Sequence, residues 1–171
     1  MFGKMRKIWK NKCISLKVKM RLYEVIVLSI LRYSAEVWPL TATLTTRLNA
    51  AHHRWQRSIL GGILSWKDRV TNKEVRVITG QHSMDDILSE RKLRWLGHVI
   101  RMDHQRIPRQ ALHCEVPGFK RGPGRPRANW RSTVSKDLSR MGITWEEAEV
   151  AAQNRSEWRQ SEAQCIHLDA G

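Results

Sequence analysis

Apolar residues recur at helical spacing along almost the whole chain. The first long run begins after Ser15, a suitable N-cap, and continues to about Val37. Pro39 ends it there, because proline lacks the amide that the next helical hydrogen bond requires. Since residues 22–31, LYEVIVLSIL, are apolar on nearly every side, we expect this helix to be central and buried.

The next predicted helix is amphipathic and extends from about Leu44 to Leu60. At about 100° per residue, its apolar positions fall within an arc of about 80°. These positions are Leu44, Leu48, Ala51, Trp55 and Ile59, and the residues opposite them are Arg47, Arg54 and Arg57. The pair Gly61-Gly62 ends this helix.

Two later helix starts, at residues 71–74 and 144–147, carry the Thr-x-x-Glu pattern of a capping box, and residues 154–157 carry the variant Asn-x-x-Glu. No alternating strand pattern persists beyond a few residues. Residues 116–128, VPGFKRGPGRPRA, forbid a regular helix because they contain three prolines and three glycines. The sequence therefore predicts an all-α fold, an irregular helical bundle with a small C-terminal helical unit after a Pro/Gly-rich basic loop.

A further helix is predicted from about Met84 to Met102. Its apolar side is interrupted only by Lys92 and consists of Leu88, Leu93, Trp95, Leu96, Val99 and Ile100. The other side presents, within an arc of about 80°, Arg91, Arg94, His98 and Arg101. Two interpretations are open: a solvated polar face, or a ridge of cations that follows the phosphates of a nucleic acid.

Charge is distributed unevenly along this basic chain, whose formal net charge is +15 over 171 residues. Residues 1–21 contain eight Lys and Arg and no acid, whereas residues 141–171 contain six acids and two arginines. Such a field attracts polyanions, of which nucleic acid is the commonest large one. A solvated basic face is the alternative, and the eight tryptophans argue against a wholly disordered chain.

No complete active site is visible in the sequence. Met84-Asp85-Asp86 matches the Met-Asp-Asp core of many reverse transcriptases, but Ser83 begins a helix here and both carboxylates complement the helix dipole. The histidines match no familiar zinc spacing, and no catalytic triad can be argued. We therefore expect no catalytic residue, no metal, no cofactor and a non-enzymatic role.

The three cysteines, Cys13, Cys114 and Cys165, are odd in number and widely spaced, which favours a reducing compartment. No secretory signal opens the chain. The longest apolar stretch, Leu22–Tyr33, is shorter than the roughly 20 residues that span a bilayer. We expect an intracellular protein that is neither secreted nor bound to membranes.

The basic loop resembles the Gly-Arg-Pro core of AT-hook peptides over residues 120–127, KRGPGRPR. In such a peptide an extended backbone lies in a narrow minor groove, where the arginines meet a negative potential. The arginines in question are Arg121, Arg125 and Arg127. A nuclear-import signal and a plain basic linker are the alternatives for the same residues.

Four ordered blocks resemble the C-terminal part of non-LTR retrotransposon endonuclease–reverse transcriptases. They read FGKMRKIWKNKCISLKVKMRLYEVIVLSILRYSAEVW, RWQRSILGGILSWKDRVTNKEV, ILSERKLRWLGHVIRM and RGPGRPRANWRSTVSKDLSRMGITWEEAEVAAQNRSEWR. Together they extend over nearly the whole chain at compatible spacing, which is more specific than any single motif. The departures are Ser34-Ala35, where a Gly-Ser pair is more usual, and Gly61-Gly62 with Leu64, where a single glycine and tighter spacing are usual.

The resemblance implies that the catalytic palm, with its aspartates, precedes the region represented here. Residues 1–39 would then be thumb-like helices, which pack against the primer–template duplex, and residues 40–115 a post-thumb helical region. Residues 116–128 would be the basic Pro/Gly loop and residues 129–171 the C-terminal helical unit. The activity of the parent family is RNA-directed DNA polymerisation.

The resulting hypothesis is a reverse transcriptase fragment without a palm that binds RNA or DNA, as an RNA–DNA hybrid or a duplex backbone, through basic helical faces. The predicted contacts are Lys7, Lys10, Lys12, Lys17, Arg21, Arg91, Arg94, Arg101, Arg121, Arg125 and Arg127. Two alternatives stay open: an accessory part of an active reverse transcriptase whose palm is supplied upstream or in trans, and the non-functional product of a decayed element. A thumb without its palm would also expose an interface for self-association.

Overall fold

The computed structural model describes residues 2–61, 70–113 and 129–167. Within these ranges the chain forms helices joined by turns, and no strand is present. The predicted all-α class is therefore confirmed. None of the helices in the same ranges combines the length and the apolar character that crossing a membrane requires.

Two compact units divide the chain. The first unit comprises residues 1–35 and 42–87, and the second unit comprises residues 36–41 and 88–171. The segments inferred from the resemblance, such as residues 40–115 for the post-thumb region, follow the order of parts in a reverse transcriptase. They stay a prediction, because compactness alone defines the two units.

The first unit opens with short helices around the ring of Phe2. Its elements are a 3₁₀ helix (Phe2–Met5), α1 (Arg6–Lys10), α2 (Leu16–Leu22), a π-helical segment (Tyr23–Leu28), α3 (Ser29–Leu31), α4 (Ala42–Leu60), α5 (Asn72–Thr79) and the start of α6 (Met84–Ile100). Phe2 stacks on Trp9 and on Trp55, with ring centroids 5.4 and 5.7 Å apart. This stacking packs the amino end of the chain against α4.

The helix predicted to follow Ser15 begins where expected but ends early. The Ser15 hydroxyl caps it by accepting the Val18 amide at 3.5 Å. The chain leaves the helix after Leu31, reaches a positive φ of 55° at Ser34 and then forms a 3₁₀ helix at Ala35–Val37. The predicted end beside proline is therefore wrong. A left-handed residue interrupts the helix earlier, within a stretch whose apolar pattern continues.

The middle of this helix is buried on one side only. Tyr23 and Leu28 are buried, whereas Val25 and Ile30 are 55% and 57% exposed. The expectation of burial all round is wrong, because the first unit covers a single face of the helix. The apolar side chains of the other face stay accessible to solvent.

The buried face of α4 differs from the predicted apolar arc. Leu44 is 46% exposed, whereas His52 and Gln56 are fully buried beside Ile59. The predicted arc is therefore wrong at the amino end of α4. Polar side chains replace it in the interior, where His52 Nδ1 lies 2.7 Å from the Tyr23 hydroxyl and Gln56 Nε2 lies 2.7 Å from His52 Nε2. These contacts compensate for part of the water that the two side chains lose.

The second unit combines the remainder of α6 with four further helices. They are α7 (Ile107–His113), α8 (Trp130–Arg140), α9 (Trp145–Ala151) and α10 (Arg155–His167). Their shared core consists of Leu93, Leu96, Val99, Ile100, Leu112, Val134, Leu138, Ala148, Ala152 and Trp158. Helices that precede and follow residues 114–128 in the chain therefore build one core within this unit.

Side-chain caps start the shorter helices at the predicted positions. Thr71 and Thr144 each accept the amide of the glutamate three residues later, and that glutamate accepts the threonine amide in return. The hydrogen bonds from Thr71 lower the pKa of Glu74 below its usual value. Asn154 caps α10 in the variant manner, accepting the Ser156 amide at 3.1 Å. These caps confirm the predicted helix starts.

Candidate nucleic-acid interface

A cleft in the second unit collects arginines from two helices. It has a volume of about 460 Å³. Its lining consists of Glu36, Arg91, Arg94, Trp95, His98, Arg101, Arg155, Arg159 and Glu162. We call this site the arginine cleft. One wall is the cationic side of α6, which we call the α6 ridge, and the other wall is formed by α10.

Helices α6 and α10 are antiparallel neighbours in this cleft. Arg101, just after α6, donates to the Ala152 carbonyl, which precedes α10, at 2.6 Å. Arg94, earlier in α6, lies 3.4 Å from Glu162, later in α10. Residues spaced by three or four along each helix therefore face the same space.

Trp158 holds α10 against α6. Its indole nitrogen donates to the Leu93 carbonyl at 3.0 Å, and its side chain is 1% exposed. A Cβ atom at position 97 would lie 2.3 Å from that nitrogen, so only glycine lets the indole approach α6 so closely. Gly97 therefore sets the spacing of the two walls of the arginine cleft.

Ion pairs position the arginines of the α6 wall. Arg91 Nε lies 3.6 Å from Glu36, and Arg94 contacts both Glu90 and Glu162. Burial raises the pKa of the Glu162 carboxyl, and the adjacent Arg94 opposes that shift. These carboxylates fix the direction of two guanidinium groups, and they weaken the attraction of the same groups for an anion.

The α10 wall carries arginines without such partners. Arg155 and Arg159 are exposed, and they form no ion pair with any side chain of the described ranges. Burial and the nearby Arg155 lower the pKa of Arg101. A guanidinium group keeps its charge at neutral pH. The α10 wall therefore presents two positive charges that no carboxylate of the described ranges pairs with.

An aromatic surface lies among these charges. Trp95 is half-buried and His98 is exposed, and both line the cleft. Their ring centroids are 5.4 Å apart and their planes meet at 48°. Aromatic faces next to cations are the combination that binds bases and phosphates of a nucleic acid.

The predicted contacts near the amino end belong to the first unit. All five are exposed, namely Lys7, Lys10, Lys12, Lys17 and Arg21. Arg21 lies 3.3 Å from Glu24 and is 77% exposed. Lys17 and Arg21 also border a groove that includes Val77, an apolar side chain with 76% exposure. Their accessibility leaves the predicted contact with a polyanion open, and it stays a prediction.

The predicted contacts of the basic loop lie outside the described residues. They are Arg121, Arg125 and Arg127. The resemblance to an AT-hook, with its alternatives of nuclear import and a plain linker, therefore rests on the sequence alone.

The Met-Asp-Asp sequence starts a helix, as predicted. Asp86 accepts hydrogen bonds from the amide and the hydroxyl of Ser83, and Asp85 accepts one from the side-chain amide of Asn49. Both carboxylates thus serve the amino end of α6, which begins at Met84. Within residues 2–61, 70–113 and 129–167, no three His, Cys, Asp or Glu side chains are grouped so that they could hold a metal ion.

Sequence analysis missed Arg155 and Arg159. The acidic excess of residues 141–171 hides two arginines that are four positions apart on one helix. Their spacing was the available signal, because it places both on the same side of α10, together with Glu162.

Fold and site define the class of this protein as an all-α chain with a basic, aromatic-lined cleft. No family model and no solved structure matches the chain. The chain is similar to a transposon-derived protein of Caenorhabditis elegans, with 26% identity over 147 residues. The alignment covers 83% of this chain and 53% of that protein, so the chain spans about half the length of the relative.

Proposed function

We propose that this chain is of transposon origin and binds nucleic acid through the arginine cleft, as a non-catalytic part of a reverse transcriptase. The observation that carries the proposal is the position of Arg155 and Arg159 across the cleft from the α6 ridge. Similarity to a transposon-derived protein supports the origin. The four sequence blocks support the reverse transcriptase family.

Phosphate is the ligand that this arrangement favours. A guanidinium group presents its donors in a planar fork that matches two phosphate oxygens. Each phosphate that a protein neutralises also releases condensed counterions, so clustered arginines prefer a polyphosphate to a single anion. The net charge of +15 adds long-range attraction for such a polymer.

In this proposal the cations of the first unit contribute less to binding than the arginine cleft does. Exposed lysines such as Lys7 and Lys10 attract a polyanion without fixing its position, since a solvated ammonium group is a mobile point charge. The relative's greater length is compatible with an accessory role, in which a palm supplied upstream or in trans performs the polymerisation.

Charge reversal on the α10 wall tests the proposal. In the variant Arg155→Glu/Arg159→Glu two phosphate contacts are lost, so we expect affinity at low salt to fall roughly tenfold or more. The slope of log K against log salt should decrease by about 2 with duplex DNA. Fluorescence anisotropy at several salt concentrations, with single-stranded RNA, an RNA–DNA hybrid and duplex DNA, measures both quantities.

A matched control is Arg106→Glu/Lys136→Glu. These residues are exposed, belong to the second unit and lie outside the arginine cleft, and their replacement changes the net charge equally. Circular dichroism verifies that both variants are folded. Equal losses in the two variants would assign binding to net charge alone, and an unchanged salt slope in the cleft variant would remove the cleft from the proposal.

A further inference from the structure

The arginine cleft is too small for a duplex. Its volume of about 460 Å³ falls in the range of small-molecule pockets, roughly 300–1,000 Å³. A cavity of this size admits about one nucleotide, whereas a double helix would touch only its rim.

The aromatic surface inside the cleft also distinguishes the two forms of nucleic acid. The rings of Trp95 and His98 line a space that arginines border on both walls. A base can stack on such rings only when its face is uncovered, as in a single strand. In a duplex the base faces are covered by their neighbours, so these rings would contribute no stacking.

We infer that the arginine cleft binds single-stranded nucleic acid, with a base stacked on the exposed ring of His98 beside Trp95 and adjacent phosphates on Arg155 and Arg159. The inference rests on the proposed function and departs from the predicted preference for a hybrid or a duplex. Stacking is tolerant of sequence, because every base has an aromatic face. Binding is therefore selective for strandedness and not for base identity.

Variants of His98 test the stacking, since this side chain is exposed and its replacement leaves the core intact. We expect His98→Ala to weaken binding of a short single-stranded RNA about tenfold, which is typical of losing one base–aromatic contact. His98→Phe should restore that affinity. An oligonucleotide of the same length with abasic sites, and a duplex DNA, should each change less than about twofold with either variant. The matched control is His104→Ala, an exposed histidine outside the cleft.

Two results would overturn the inference. The first is an equal effect of His98→Ala on single-stranded, abasic and duplex probes, which would mean that charge and not stacking is lost. The second is tighter binding of the duplex than of the single strand by the unaltered protein. In both cases the Arg155→Glu/Arg159→Glu variant tells whether the proposed function itself survives, because it removes phosphate contacts whatever the strandedness of the probe.

Discussion

Each unit contains a buried polar network, and the two networks differ in charge. In the first unit the network around His52 is neutral: the Tyr23 hydroxyl lies 2.7 Å from His52 Nδ1, and His52 Nε2 lies 3.1 Å from the His82 carbonyl. In the second unit the network around Asp137 is charged: Lys92 Nζ lies 2.5 Å from the Asp137 carboxylate. Both networks are buried, but their effect on stability differs when a group in them gains or loses charge.

Burial controls the protonation of the neutral network. It lowers the pKa of His52 to about 4, with smaller contributions from His53 and nearby arginines, and it raises the pKa of Tyr23 above its usual range. The first unit therefore keeps both groups uncharged at neutral pH, and its stability depends on their remaining so.

Pairing supports the charged groups of the second unit. The Ser89 hydroxyl donates to Asp137 Oδ1 at 2.7 Å, so the carboxylate has both an ammonium and a hydroxyl partner. Glu162 is supported by Arg94 in the same unit. In these two places of the second unit, a buried charge has a partner of opposite charge beside it.

The largest expected effect comes from breaking the charged pair. Asp137→Ala leaves the Lys92 ammonium buried without a partner, so we expect the free energy of unfolding to fall by about 4 kcal/mol. Urea denaturation followed by circular dichroism measures the loss. The double variant Lys92→Met/Asp137→Leu should recover most of it, since it removes both charges. A loss below about 1 kcal/mol in the single variant is typical of a solvent-exposed ion pair and would contradict the burial of this one.

A smaller effect should follow from pH and should arise in the first unit. The pKa of His52 is about 4 in the folded protein, against about 6.5 when unfolded. Between these values the unfolded chain binds the proton and the folded chain does not. Lowering the pH from about 7 to about 5 should therefore cost roughly 2 kcal/mol of stability. Burial also lowers the pKa of His53, which acts in the same direction.

Denaturation at several pH values in this range measures that dependence. His52→Gln should lower stability near neutral pH, because it loses the fit to Tyr23, and should flatten the pH dependence. A dependence as steep in His52→Gln as in the unaltered chain would assign it to other groups.

The smallest expected effect is common to both units. Thr71→Ala in the first unit and Thr144→Ala in the second each remove the hydroxyl of a capping box, so each should cost about 1 kcal/mol. Replacing each threonine by serine should preserve most of the stability, since the hydroxyl remains. Local hydrogen exchange of the first turn of α5 and of α9 provides the measurement. A much larger loss in one unit would mean that its cap does more than start a helix.

Local sequence patterns predicted the features that depend on residues close together in the chain. The caps at Ser15, Thr71 and Thr144 and the start of α6 follow from residues within a few positions of one another. The burial of His52 did not follow, because its partners, Tyr23 and the residue 82 carbonyl, are 29 and 30 positions away. Hydrophobic periodicity has no means of recognising a polar side chain that is buried by its hydrogen bonds.

The residues of the arginine cleft likewise include some that the sequence predicts and some that it does not. The ridge from Arg91 to Arg101 could be predicted, since helical spacing alone places those residues on one side. The assignment of Arg155 and Arg159 to the same site could not, because it depends on Trp158, which bonds to the Leu93 carbonyl and packs against Gly97. No local rule relates residues so far apart in the chain.

By itself, the sequence determined the all-α class, the helix starts, the basic character and the cationic side of α6, because each depends on composition or on short-range spacing. Which polar groups are buried, and that α10 faces α6, depends on contacts between residues far apart in the chain. The arginine cleft exists because a buried tryptophan, packed on a glycine, brings two separately unremarkable rows of charge together.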